Sequence, residues 1–178
     1  MKRAIYIIAL LTLSSAFCRA ESVPSITHNF NTMSGNSTLT WPVNYKTGVT
    51  PQLTYACTGT SATFGTYSDV NITLNMSASN DIVTISPAIE GLTKFEINFY
   101  QNAKRESIEV YVSTDGTNWG DPITGSDYRE DAKQLIRIKN LPRNNYYIQI
   151  RNKTSTAVSI FEMRYYQASC HCLRVVSE

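Results

Sequence analysis

The residues best suited to chemistry in this chain sit in one short run, Ser113-Thr-Asp-Gly-Thr-Asn-Trp119. Asp115-Gly116 supplies the left-handed backbone that a tight hairpin turn needs. Such a turn brings a carboxylate close to an indole. An aromatic face meets the apolar C–H face of a pyranose, and a carboxylate accepts from its hydroxyls. Asp115 and Trp119 are therefore candidate sugar-binding residues. The competing reading is a hairpin whose Trp119 helps cap the core. Tyr100, Tyr111 and Tyr147 fall on the polar phase of their strands and would extend an aromatic platform. The competing reading there is cross-strand aromatic packing on an exposed sheet.

Other reactive residues give weaker signals. Cys57, Cys170 and Cys172 follow the first twenty residues. A disulfide between Cys57 and either Cys170 or Cys172 would tie an early strand to the C-terminal tail and leave one thiol. Cys170-His171-Cys172 does not have the spacing of a zinc site, and alternation along a strand turns His171 away from its neighbours. No metal is expected. The histidines, His28 and His171, lie near opposite ends, and no nucleophile elbow, metalloprotease helix or phosphate-cradling loop occurs. Glu106, Glu109, Asp121, Asp127, Glu130 and Asp131 fall in turns or on exposed strand faces, where carboxylates are usually solvated. The chain is therefore expected not to be an enzyme. Four Asn-x-Ser/Thr sequons, at Asn36, Asn71, Asn75 and Asn152, would accept N-glycans in a suitable host.

The first twenty residues set the compartment. Lys2 and Arg3 precede an apolar run from Ile5 to Leu13, small residues follow, and Cys18-Arg19-Ala20 offers a cleavage site. This is the layout of a secretory signal peptide, too short for a stable membrane span. Phe17 before Cys18 fits lipidation poorly. Residues 1–20 are read as the signal, 21–37 as an irregular leader or edge strand, and 38–178 as one domain that is secreted, periplasmic or on the cell surface. Loss of the signal takes the formal charge from +2 to about −1. A near-neutral surface does not suggest a nucleic-acid partner, and no second apolar run suggests a membrane span.

The elements that position these residues are strands. Alternation predicts Thr38–Trp41, Leu53–Cys57, Val70–Met76, Ile82–Ser86 ended by Pro87, Leu92–Tyr100, Ser107–Ser113, Gln134–Lys139, Tyr146–Arg151 and Ala157–Tyr166. Phe95, Ile97 and Phe99 face inward, and Lys94, Glu96 and Asn98 outward. Adjacent Ile160 and Phe161 predict a bulge. No segment reads as a helix. Half-buried alternation implies antiparallel sheets with one face in a core, and two such sheets make a β-sandwich.

The Ser-x-Asp-Gly-x-x-Trp hairpin at 113–119 resembles one common in secreted bacterial jelly-roll and galactose-binding-like modules. It also resembles a shortened Asp-box. The segment Ile85–Leu92 and the stretch Tyr146–Tyr166 are similar in style, and the whole looks like modules secreted by gut Bacteroidetes. The resemblance implies an all-β antiparallel jelly-roll sandwich, with an immunoglobulin-like or fibronectin-like sandwich as the alternative. It implies a glycan or a cell-surface protein as partner, and no cofactor beyond a structural calcium ion of the kind common in galactose-binding-like folds. Three functions follow in order: a non-catalytic carbohydrate-binding module, a structural or adhesive surface protein, and a small secreted glycan hydrolase.

Overall fold

The computed structural model describes residues 19–20, 23–30, 41–45, 52–59, 62–67, 71–77, 79–100, 105–123, 125, 127–130 and 133–169. They form twelve strands: β1 (Arg19–Ala20), β2 (Ile26–Asn29), β3 (Val43–Asn44), β4 (Thr54–Thr58), β5 (Thr63–Tyr67), β6 (Asn71–Met76), β7 (Ile82–Tyr100), β8 (Ile108–Ser113), β9 (Asp127–Glu130), β10 (Lys133–Ile138), β11 (Asn144–Asn152) and β12 (Val158–Ser169). All pairings are antiparallel. A short 3-10 turn lies at Arg105–Ser107, and no helix among the described residues is long and apolar enough to cross a membrane.

The sheet curls around β7, a strand of 19 residues. Its first half pairs with β4 and β11, and β3 and β8 extend this first arm. Its second half pairs with β10 and β12. In this second arm β9 lies outside β10, and β2 and β6 share the far edge of β12. The sequence pattern ends one strand at Pro87 and starts another at Leu92. The chain instead runs through as β7, with a cis Ser86–Pro87 bond. Proline has no N–H for the ladder and is tolerated at bulges, and the β11 register shifts opposite this point, between Tyr146 and Ile148. Trp41-Pro42 forms a bend rather than the end of a strand. The Trp41 indole N–H donates to the Ala62 carbonyl at 2.9 Å.

Phe95, Ile97 and Phe99 are all fully buried, as the alternation predicts. The bulge falls where the sequence places it: Ile160 opposes Phe99 and Glu162 opposes Asn98, leaving Phe161 as the extra residue. Thr73, on the polar phase of β6, is fully buried; its hydroxyl donates to Asn75 Oδ1 at 2.8 Å.

The inner faces of the arms meet through rings. Ile26 and His28 of β2, and Phe30 directly after it, point inward. His28 stacks on Tyr45, with centroids 3.9 Å apart, and Phe30 meets Tyr45, Tyr55 and Phe64. Tyr55 from the first arm and Tyr165 from the second hydrogen-bond through their hydroxyls at 3.1 Å. His28 Nδ1 lies 2.6 Å from the Tyr55 hydroxyl. Among the described residues Nε2 of this buried imidazole has no hydrogen-bond partner.

Candidate functional site

The hairpin after β8 is built by Asp115. Oδ1 accepts from the backbone N–H groups of Thr117 and Asn118, each at 2.8 Å, and from the Ser113 hydroxyl at 2.8 Å. Oδ2 accepts from the Asn118 side-chain amide at 2.6 Å. These donors, led by Asn118, hold the carboxyl well below the usual carboxylate range. Aspartate closes such turns because its short side chain reaches the backbone two residues on. Its oxygens are engaged within its own loop.

Gly116 at the tip has φ 75°, and a Cβ there would stand 3.4 Å from the Tyr147 ring. Gly116→Ala is expected to cost about 1–2 kcal/mol through the left-handed backbone, read as a lowered thermal midpoint. Trp119 follows in the loop, half-buried. It is not on a strand; among the described residues of the loop the pairing is the bridge of Ile123 to Val110.

The five candidate residues divide between the arms. Tyr111 and Tyr147 lie on the outward face of the first arm, below the hairpin. Tyr111, expected to be an exposed platform ring, is only 7% exposed. The Arg151 guanidinium sits 4.2 Å above its ring, and its hydroxyl donates to Glu109 at 2.7 Å. Tyr147 lies against the hairpin tip. Tyr100 belongs to the second arm, at the end of β7, where its ring meets Phe161 with centroids 4.9 Å apart. The expected single platform is thus not one surface.

A cavity of about 380 Å³ opens beside β8. Ile108, Val110, Pro122, Ile123 and Ile136 give it an apolar floor and wall, and Glu106, Glu109 and Lys153 are its charged groups. Gly125 completes the lining; a Cβ there would come within 2.7 Å of the Ile136 side chain, so only glycine permits this approach. Lys153 Nζ pairs with Glu109 at 2.8 Å. The bonds from Lys153 and Tyr111 hold the Glu109 carboxyl below its ordinary value, so it is an ionised acceptor at neutral pH. Sequence reasoning places Glu106 and Glu109 on the surface as solvated acids. No local signal shows that the returning loop carries Pro122 and Ile123 over β8.

Cys57 is half-buried with a free thiol; burial, then Asp81, pushes its pKa up. Cys170 and Cys172, its expected partners, lie outside the described residues. Among the described residues no three His, Cys, Asp or Glu side chains group as metal ligands. The Asp115 loop aims N–H donors at its carboxylate and does not fit a calcium ion. No family model matches the chain, and no curated protein matches it.

Proposed function

We propose that the chain is a secreted, non-catalytic binding module of the jelly-roll, galactose-binding-like sandwich kind, and that its ligand is a carbohydrate held in the groove beside β8. The observation that carries this reading is the groove itself: an apolar floor with one ionised carboxylate, a second carboxylate and an ammonium at its charged side. Its volume lies within the range of small-molecule sites. The C–H face of a sugar ring lies on Ile108, Val110 and Ile123. Its hydroxyls donate to Glu109 and Glu106 and accept from Lys153. Trp119 belongs to the same loop, three residues before Pro122, and would reach the sugar from there. The fold reading is supported by the curled antiparallel sheet and by ring contacts joining its two arms.

A glycan array tests this. Binding of one sugar class in this groove is expected. Glu109→Gln and Trp119→Ala should each weaken it at least about tenfold, the size of a lost charge-assisted hydrogen bond or stacking contact. Trp119 is absent from the buried core, so its replacement should cost under about 1 kcal/mol of stability. A blank array with folded protein would refute carbohydrate binding and favour the adhesive reading.

A further inference from the structure

The outward face of the second arm carries a second constellation. Along β7 the outward residues are Lys94, Glu96, Asn98 and Tyr100, a row about 20 Å long at about 3.3 Å per residue. Register places Arg137 of β10 and Arg164 of β12 on either side of Glu96. Arg137 Nε donates to Glu96 at 2.6 Å, Lys94 Nζ lies at 3.2 Å, and Arg164 Nη1 at 3.7 Å. Arg164 also pairs with Glu162 at 2.7 Å, and Asn98 donates to Glu162 at 3.2 Å. Asp127 of β9 stands one strand further out, in register with Arg137.

The charges are layered. The side chains of Glu96 and Glu162 are 3% and 13% exposed, whereas those of Lys94, Arg137 and Arg164 are 26%, 29% and 42% exposed. The carboxylates lie beneath and the cations over them, so an approaching ligand meets positive charge. Burial alone would raise the Glu96 pKa, but hydrogen bonds from Arg137, Tyr166 and Lys94 outweigh it and hold it low. Lys94 is further fixed 3.6 Å above the Tyr166 ring. A buried anion that holds three cations in place reduces the ordering cost of binding an external anion. At the other end of the row the bulge at Phe161 brings a second ring against Tyr100.

We propose that this face binds an acidic saccharide, a sugar chain bearing carboxylate or sulfate groups. Arg164, Arg137 and Lys94 take the anionic group, Asn98 and Glu162 the hydroxyls of an adjoining ring, and Tyr100 with Phe161 the apolar face of a ring beyond. A nucleic-acid strand fits less well: its phosphates recur along its whole length, and Glu162 stands in the path beside Arg164. The assignment does not depend on the β8 groove.

Calorimetric titration of the full chain with an oligogalacturonate and with a heparin-derived oligosaccharide tests it, using neutral dextran and oligo-dT as comparison probes. Binding to at least one acidic saccharide is expected, weakening with salt and exceeding that of dextran and oligo-dT. Arg164→Gln should weaken it about tenfold, as for loss of a charge-assisted bond. Tyr100→Ala should weaken it severalfold. Arg151→Gln, which removes a charge on the other arm, should change it less than about twofold. If Arg164→Gln fails to fold by circular dichroism, Lys94→Gln replaces it with the same expected direction. Equal binding of dextran, tighter binding of oligo-dT, no binding of either acidic saccharide, or equal loss in Arg151→Gln would overturn the proposal.

Discussion

Lowering the pH from 7 to 4.5 is expected to destabilise this protein through the side chain of His28. Its imidazole is fully buried, and burial pushes its pKa from 6.5 down to about 4. The unfolded chain takes up a proton near pH 6.5, but the folded chain does not until about pH 4. The unfolded state therefore binds more protons throughout this window, and stability falls as pH falls. Each pH unit costs about 1.4 kcal/mol, so the full window removes about 3 kcal/mol. Most of that is a large share of a typical domain's 5–15 kcal/mol.

The groups facing His28 explain why it stays neutral. Tyr45, Tyr55 and Tyr165 surround it. Burial, first among several causes, raises the Tyr55 and Tyr165 phenols, so neither supplies a counter-charge. Glu96 and Asp115 have lowered pKa values. Their contribution is present above their unfolded values and is lost only at lower pH, below about 4.5. Among the described residues, the interval from 6.5 to 4.5 belongs to His28. Urea denaturation at pH 7, 6, 5 and 4.5 should show the decline, and His28→Phe should flatten it. An unchanged slope in His28→Phe would place the titration elsewhere.

Strand identity was legible where alternation was clean. Phe95, Ile97 and Phe99, Ile148 and Ile150, and the bulge at Phe161 all follow from period and from one pair of adjacent apolar residues. The union of Ile82–Ser86 with Leu92–Tyr100 was not legible, because Pro87 and Gly91 are turn signals locally and only the flanking strands show that β7 continues. Tyr111 illustrates a different limit. Its phase is correctly outward, but phase does not reveal that Arg151, two strand positions past its partner Gln149, folds over the ring. His28 carried a usable signal, the alternation Ile26-x-His28-x-Phe30. Its polar, turn-rich flanks obscured that pattern. The layering of Glu96 beneath three cations joins residues 43 and 68 positions apart, Lys94 to Arg137 and Glu96 to Arg164, and needs the register to be seen.

Asn152 is expected to matter as much as any core residue. Its side chain is 1% exposed. Nδ2 donates to the Met76 carbonyl at 2.9 Å and the Thr156 carbonyl at 3.0 Å, and Oδ1 accepts from the Thr154 N–H at 3.0 Å. Its backbone N–H and C=O pair with Asp81 and Asn80. One residue thus links the end of β6, the turn into β7, the end of β11 and the turn into β12. Asn152→Ala keeps the backbone bonds but would leave the Met76 and Thr156 carbonyls and the Thr154 N–H without their side-chain partner, at about 1–3 kcal/mol for each one that water cannot reach. Part of the turn is open to water, so the total expected is about 3 kcal/mol. That corresponds to a thermal midpoint lowered by about 6–12 °C for a domain of this size. Asn152→Asp keeps the size but sets a carboxylate against two carbonyls. It should cost at least as much at pH 7 and recover partly in acid, where the protonated group donates once. The recovery opposes the His28 trend and is best read in a His28→Phe background. The sequon at Asn152 is correspondingly a structural turn, and mass spectrometry of protein made in a glycosylating host should find this asparagine unmodified when folding precedes transfer. A cost below about 1 kcal/mol for Asn152→Ala would show that water replaces the amide and that the four segments do not depend on it.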